Sequence, residues 1–199
     1  LRHYANQLEA LRATTADITR QLDLARQLDL IIARALRLLQ AVSGAVYLFD
    51  PATGIVTPRA WVGHGDWMRG IRLRLGEGIA GSVIARRQGL IENAYRTSPY
   101  GIPLFLERTR HAGVLAEPLI YRDRIIGAVL IDRPEGTFTA QDRDLLRLFA
   151  DQAAIAIENA RLYTAAQQAL TDLQQAQEEL VRSEKLRGLG QMAAGSAHD

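Results

Sequence analysis

Residues Leu75–Gly89 read LGEGIAGSVIARRQG, and what kind of domain this chain forms turns on how its glycines are understood. Gly76, Gly78 and Gly81 spell G-x-G-x-x-G, the spacing with which a strand turns into a helix beneath a dinucleotide pyrophosphate. The preceding residues argue against that use. Ile71-Arg72-Leu73-Arg74-Leu75 alternates apolar with charged side chains, as a half-exposed strand does. The first strand of a dinucleotide-binding unit lies inside a parallel sheet and reads as an unbroken apolar run. No repeating strand–helix–strand pattern surrounds the motif either. The glycines therefore need another explanation.

On both sides of this stretch the chain reads as short antiparallel strands. AVYLFD (Ala45–Asp50), the turn Pro51–Gly54 and IVTPRAWVG (Ile55–Gly63) form one hairpin. VLAEPLIY (Val114–Tyr121), a polar turn at Arg122–Asp123 and RIIGAVLID (Arg124–Asp132) form another. Ile125–Ile131 is apolar at nearly every position, which predicts a central strand covered on both faces. Strands joined by short turns, with helical segments before, among and after them, predict an α+β domain.

The two ends are helical by pattern. No Gly or Pro precedes Gly44, and Leu8, Leu11, Thr15, Ile18, Leu22 and Ala25 keep the 3-4 spacing of a coiled-coil seam. From Leu28 the stripe widens through Ile31, Ile32, Ala35, Leu36 and Leu39, as for a helix packed on a globular body, and Ser43-Gly44 ends it. Thr139, with Asp142 three residues on, resembles a capping start for a second long helix. Its seam runs through Ile155, Asn159, Leu162, Ala166, Ala169, Leu173, Ala176, Leu180 and Ser183. At about 1.5 Å per residue, a helix from Ala140 to Arg187 would be on the order of 70 Å long. That exceeds the width of a small domain, so the helix is expected to protrude and to need a partner: a parallel homodimer through the N- and C-terminal helices. After Ser183 the apolar face continues through Leu186, Leu189, Met192, Ala193 and Ser196 in a shifted phase. Such a break lets a two-helix coil change its winding or give way to a four-helix seam.

Composition narrows the function. Of 199 residues, 48% are hydrophobic, enough for a core, and the net charge is only +2. The basic residues are scattered among acids, so no nucleic-acid partner is expected. The absence of cysteine excludes disulfides, thiolate metal sites, a thiol nucleophile and a thioether-linked chromophore. No apolar run is long enough for a membrane span, and a cytoplasmic location is expected. Metal-ligand spacings, a nucleophile elbow and a phosphate-binding P-loop are all missing from the linear pattern.

Three separated segments resemble GAF domains, the small-molecule sensory modules of many signalling proteins. GEGIAGSVIARRQGLIEN is similar to the family's GEGIAGWVA…G…VVVND stretch, VLAEPLIYRDRIIGAVLID to its second hairpin, and FTAQDRDLLRLFADQAAIAIENARLY to its closing helix. The likeness extends from about Leu24 to Tyr163. It implies a GAF-type antiparallel sheet with helices on both faces, flanked by long coiled-coil helices at the two ends. It also implies a pocket between the sheet and two covering segments, Ile79–Arg87 and Asn93–Arg110. Trp61, Ile79, Asn93, Tyr95, Tyr100, Phe105 and Glu117 are its candidate lining. The second segment is a long loop with mobile aromatics, suited to a flat or apolar ligand or to a lid over an empty core.

No cofactor can be identified from this resemblance. Covalent bilin needs the missing cysteine. Cyclic-nucleotide binders carry N-K…F…D-E; here Asp132-Arg133 stands where Asn-Lys belongs and Arg143 replaces the Glu, although Phe138 and Asp142 are kept. Haem needs an axial histidine, and His64 and His111 each stand alone on an expected loop. Glu117 is unusual: facing inward it needs a partner such as Arg59 or a cationic ligand, and facing outward it is solvated surface.

SEKLRGLGQMAAGSAHD (Ser183–Asp199) resembles the opening of the dimerisation and phosphoacceptor region of sensor histidine kinases. That resemblance makes His198 the phosphoacceptor and Asp199 its neighbouring acid. A neutral imidazole can attack the γ-phosphate of ATP, while the carboxylate holds its tautomer and accepts the proton. ATP and Mg would be used by a kinase domain that these residues do not contain, and a response-regulator receiver domain would accept the phosphoryl group. The chain is thus expected to divide into a coiled-coil linker (1–23), a GAF domain (24–163), a signalling coiled coil (164–185) and the start of the phosphoacceptor helix (186–199). A ligand-free dimerisation spacer relaying an upstream sensor, and a GAF input to a cyclase or transcriptional regulator, remain open at this level.

Overall fold

A computed structural model describes the backbone of residues 24–195 and the side chains of residues 24–184. The expected coiled coil over 1–23 and the pair His198 and Asp199 lie outside the described residues. Helix α1 covers residues 24–38. It is followed by β1 (Ser43–Asp50), β2 (Ile55–Val62), β3 (Leu73–Arg74), α2 (Gly78–Arg86), β4 (Leu90–Glu92), α3 (Pro103–Arg108), β5 (Gly113–Tyr121), β6 (Arg124–Arg133) and α4 (Ala140–Gly195). The strands form one sheet in the order β3-β2-β1-β6-β5-β4, with every neighbouring pair antiparallel.

Strand β6 lies between β1 and β5, as its apolar run predicts. The β5–β6 hairpin closes on Arg122 and Asp123, whose φ of 45° and 62° give the left-handed turn that matches strand twist. Gly127 allows β6 to approach β1 closely: a Cβ there would lie 1.9 Å from the Tyr47 carbonyl oxygen.

The two-residue period of the strands sorts their side chains onto two faces. On the rear face Val46, Leu115, Leu119, Val129 and Ile131 pack with Leu28, Ile32 and Ala35 of α1 and with Leu146, Ala150, Ala153 and Ile157 of α4. On the front face Ala45, Tyr47, Ala116 and Ala128 pack with Ile79, Val83 and Ile84 of α2, and with Met68, Tyr95 and Phe105. Each fully buried leucine or isoleucine contributes about 1.5–3 kcal/mol, so both layers are held mainly by apolar burial.

The opening glycines have structural work here. Gly76 and Gly78 take φ of 86° and 62°, and Gly76 N–H donates to the Gly81 carbonyl at 3.0 Å. A Cβ on Gly81 would lie 2.5 Å from the Arg74 carbonyl oxygen, so α2 can begin only this close to β3 with glycine there. At the head of α4, Thr139 N–H donates to the Asp142 carboxylate at 2.8 Å and Asp142 N–H donates to the Thr139 hydroxyl at 3.2 Å. This is the reciprocal cap that the spacing predicts.

Two local expectations are corrected. The α1 helix ends by residue 38, Gln40 turns the chain at φ 51°, and Ser43 and Gly44 already belong to β1. The Asn93–Arg110 stretch is not a bare loop, because it contains a 3₁₀ turn at Tyr95–Thr97 and α3. The chain divides into two compact units, the first ending at Glu158 and the second beginning at Asn159. In the second unit every position from Arg161 to Glu184 is exposed, leucines included. Among the described residues no helix is long and apolar enough to cross a membrane.

Candidate functional site

A small cavity of about 30 Å³ lies on the front face, over β1, β5 and β6 and beneath the start of α2 and the Tyr95–Phe105 segment. Ile79, Tyr95 and Phe105, all named from the sequence, line it. Trp61, Asn93, Tyr100 and Glu117 do not. Trp61 has the Arg69 guanidinium 5.6 Å from its ring, and Tyr100 has that of Arg86 at the same distance. Asn93 uses its amide as a clamp: it donates to the Phe138 carbonyl at 3.0 Å and accepts from Phe138 N–H at 2.8 Å.

Glu117 is a correction to both readings offered for it. It is only 2% exposed, yet its partners are Arg147 at 3.5 Å and Arg143 at 3.8 Å on α4, not Arg59. It shares the parity of Leu115 and Leu119 along β5, so it faces the rear layer, away from the cavity. Burial pushes its carboxyl above the ordinary range, and the attraction of Arg147 and Arg143 offsets only part of that.

One end of the cavity is polar. His64, His111 and Asp132 line it together, so the two histidines are not isolated as the sequence pattern implies. Gly63 delivers His64 from the end of β2: its φ is 78°, and a Cβ there would lie 2.4 Å from the Val42 carbonyl oxygen. His111 sits just before β5, in a segment fixed by Ala112 N–H donating to the Arg133 carbonyl and Tyr95 N–H donating to that of Ala112. Asp132, the last residue but one of β6, has the parity of Ala128 and Leu130, which aims it at the front face.

The Asp132 carboxylate draws the group together. His64 Nε2 is 3.3 Å from its Oδ2, His111 Nδ1 pairs with its Oδ1, and the Ser43 hydroxyl donates to the same oxygen. The side chains of His64, His111 and Asp132 are 5%, 7% and 6% exposed, so water screens them little. Burial alone would raise the Asp132 carboxyl. The hydrogen bonds from His111 and His64, with their charge, outweigh that and hold it below the ordinary range. The phenol of Tyr47 is pushed far up by its own burial and by the charge of Asp132, and that of Tyr95 is raised chiefly by burial. Both tyrosines are therefore neutral, polar walls.

Sequence reasoning missed this triad because its members lie far apart in the chain and meet only through the sheet order. One signal was available: Asp132 is an acid closing an otherwise apolar central strand, on the face the pocket would occupy.

Comparisons with known proteins agree with this architecture. A probable 3′,5′-cyclic phosphodiesterase of Caenorhabditis elegans, pde-5, is 30% identical over 146 residues, 65% of this chain and 20% of its own. The chain thus spans about a fifth of that relative's length. The GAF domain of a phosphoenolpyruvate-protein phosphotransferase (ptsP) from Coxiella burnetii superposes with a TM-score of 0.66 at 25% identity, covering 81% of this chain and 98% of that one. A GAF domain/HD domain protein from Geobacter sulfurreducens superposes with a TM-score of 0.57 at 24% identity, covering 71% and 98%. Residues 21–158 match the family model for the GAF domain, so with this sheet order and this covered cavity the chain belongs to the GAF domain family, a family of sensory and signalling modules.

Proposed function

We propose that this GAF domain is the sensory input of a cytoplasmic sensor histidine kinase that acts as a homodimer. A small ligand taken into the front cavity biases the domain, and α4 passes that bias toward His198, whose phosphorylation uses ATP and Mg bound by a kinase domain. A response-regulator receiver then accepts the phosphoryl group. One observation carries the reading. The helix that buries Leu146, Ala150 and Ala153 against the sheet continues as a run with exposed Leu162, Leu173 and Leu180, leading into the kinase-like Ser183–Asp199 segment. Exposed leucines at helical spacing on a solvated helix favour a second helix as their cover. Signalling through it requires a ligand with different affinities for two states of the dimer.

The test is autophosphorylation of the full-length protein with labelled ATP. Wild type is expected to incorporate acid-labile phosphate and His198→Gln to lose it; label retained by the variant overturns the assignment. The phosphodiesterase relative favours a second reading, a GAF input to a nucleotide-directed output, and a wild-type protein that takes up no phosphate would support it.

A further inference from the structure

We propose that His64, His111 and Asp132 bind one divalent first-row transition-metal ion, with its remaining coordination positions open to a small exogenous ligand inside the cavity. This names the ligand class of the sensory pocket and rests on that pocket being the input site. It does not depend on the kinase assignment.

The donor set comes first. Two imidazoles and one carboxylate offer ligand atoms that all lie within 4.8 Å of one another. At metal–ligand distances of about 2.0–2.2 Å, such atoms can reach a common ion after small side-chain rotations. Imidazole nitrogen selects zinc, iron, nickel or copper over magnesium and calcium, which take oxygen ligands. A set of two histidines and one carboxylate leaves coordination positions open, the arrangement that suits ferrous iron among others.

Two further observations point to a ligand. His111 Nε2 is buried and has no hydrogen-bond partner among the described residues. Because His64 Nε2 and His111 Nδ1 are the atoms that face the Asp132 carboxylate, the ion takes Nδ1 of His111 and leaves its buried Nε2 as an N–H donor that calls for an acceptor. The cavity also contains a carboxylate with no permanently charged cation in its lining. Its lining includes the Asp132 carboxylate but no lysine or arginine, while its other polar walls are the two tyrosines. A buried carboxylate calls for a cation, and an ion held by two imidazoles supplies one.

Size decides between ligand classes. About 30 Å³ accommodates one or two water-sized bodies. That suits an ion carrying a water or a diatomic molecule. It does not accommodate a cyclic nucleotide or a porphyrin without rebuilding the front layer. The ligand atoms also come from separate places: the end of β2, the segment before β5 and the end of β6. An ion would therefore cross-link the front face at three points.

The full chain, stripped by chelator, should be titrated with Co²⁺ and with Zn²⁺ by calorimetry and by the ligand-field absorption of cobalt. Wild type is expected to take up one ion per chain, and His64→Gln, His111→Gln and Asp132→Asn should each lose on the order of a hundredfold in affinity. Unchanged affinity in the His64→Gln/His111→Gln double variant overturns the proposal, as does failure of wild type to bind a single equivalent. Nitrogen-detected NMR of the wild-type histidines covers the case in which the variants fail to fold. Zn²⁺ should move the ring resonances of His64 and His111; movement confined to His3 or His198 also overturns it. Because these readouts involve neither ATP nor phosphate, the metal site and the kinase reading fail separately.

Discussion

Glu117 shows how a single buried charge sets the pH dependence of a fold. Its folded-state carboxyl lies above the ordinary value of 4.5, burial being the main cause. Between 4.5 and that raised value the native chain keeps a proton that the unfolded chain has lost. The contribution of Glu117 to stability is therefore fullest below that window and declines as pH rises through it. Glu117→Gln keeps the shape and removes the charge. The variant should match wild type in urea denaturation at about pH 4 and exceed it at about pH 7.5. A variant less stable than wild type at neutral pH would mean that Arg143 and Arg147 attract the carboxylate more strongly than burial penalises it. A neighbour adds a steric limit: a Cβ on Gly89 would lie 2.0 Å from Glu117 Oε1, so that glycine leaves room for the carboxyl.

Most elements were legible in the sequence because their signals are local. The period of two, the turn residues at Pro51–Gly54 and Arg122–Asp123, and the Thr139–Asp142 cap each act within a few residues. What escaped depended on tertiary partners. Glu117 has a readable parity with Leu115 and Leu119, but its burial depends on Arg143 and Arg147 projecting one turn apart from α4. Asn93 reads as a pocket residue, yet its amide fastens the end of β4 to the chain entering α4. Losing both of these partly buried hydrogen bonds should cost about 1–3 kcal/mol. Asn93→Ala is thus expected to lower the thermal midpoint by several degrees while leaving Co²⁺ affinity unchanged. A loss of affinity without a loss of stability would return Asn93 to the pocket.

Across the molecule as a whole, the strand order and the covered front face are those of a GAF domain. The dimer proposed for the second unit is open to direct measurement. Leu173 and Leu180 are each 65% exposed in the single chain. Leu173→Asp with Leu180→Asp should convert a sedimenting dimer to a monomer, with the unfolding midpoint of the GAF domain within about 2 °C of wild type, as for substitutions at exposed positions. A wild-type monomer, or a variant that still dimerises, would refute the seam.

Ser43 and Asp132 face each other across the β1–β6 pairing, and Val42 N–H donates to the Asp132 carbonyl at 3.0 Å. One residue later, Arg133 donates to the Leu39 carbonyl at 2.6 Å. The acid that floors the chamber therefore also helps to close the junction where α1 hands the chain over to the sheet. One strand end thus does two jobs with different atoms: the carboxylate serves the chamber, while the main-chain carbonyl and the next guanidinium moor the incoming chain, so a shift of that strand end would be felt in both.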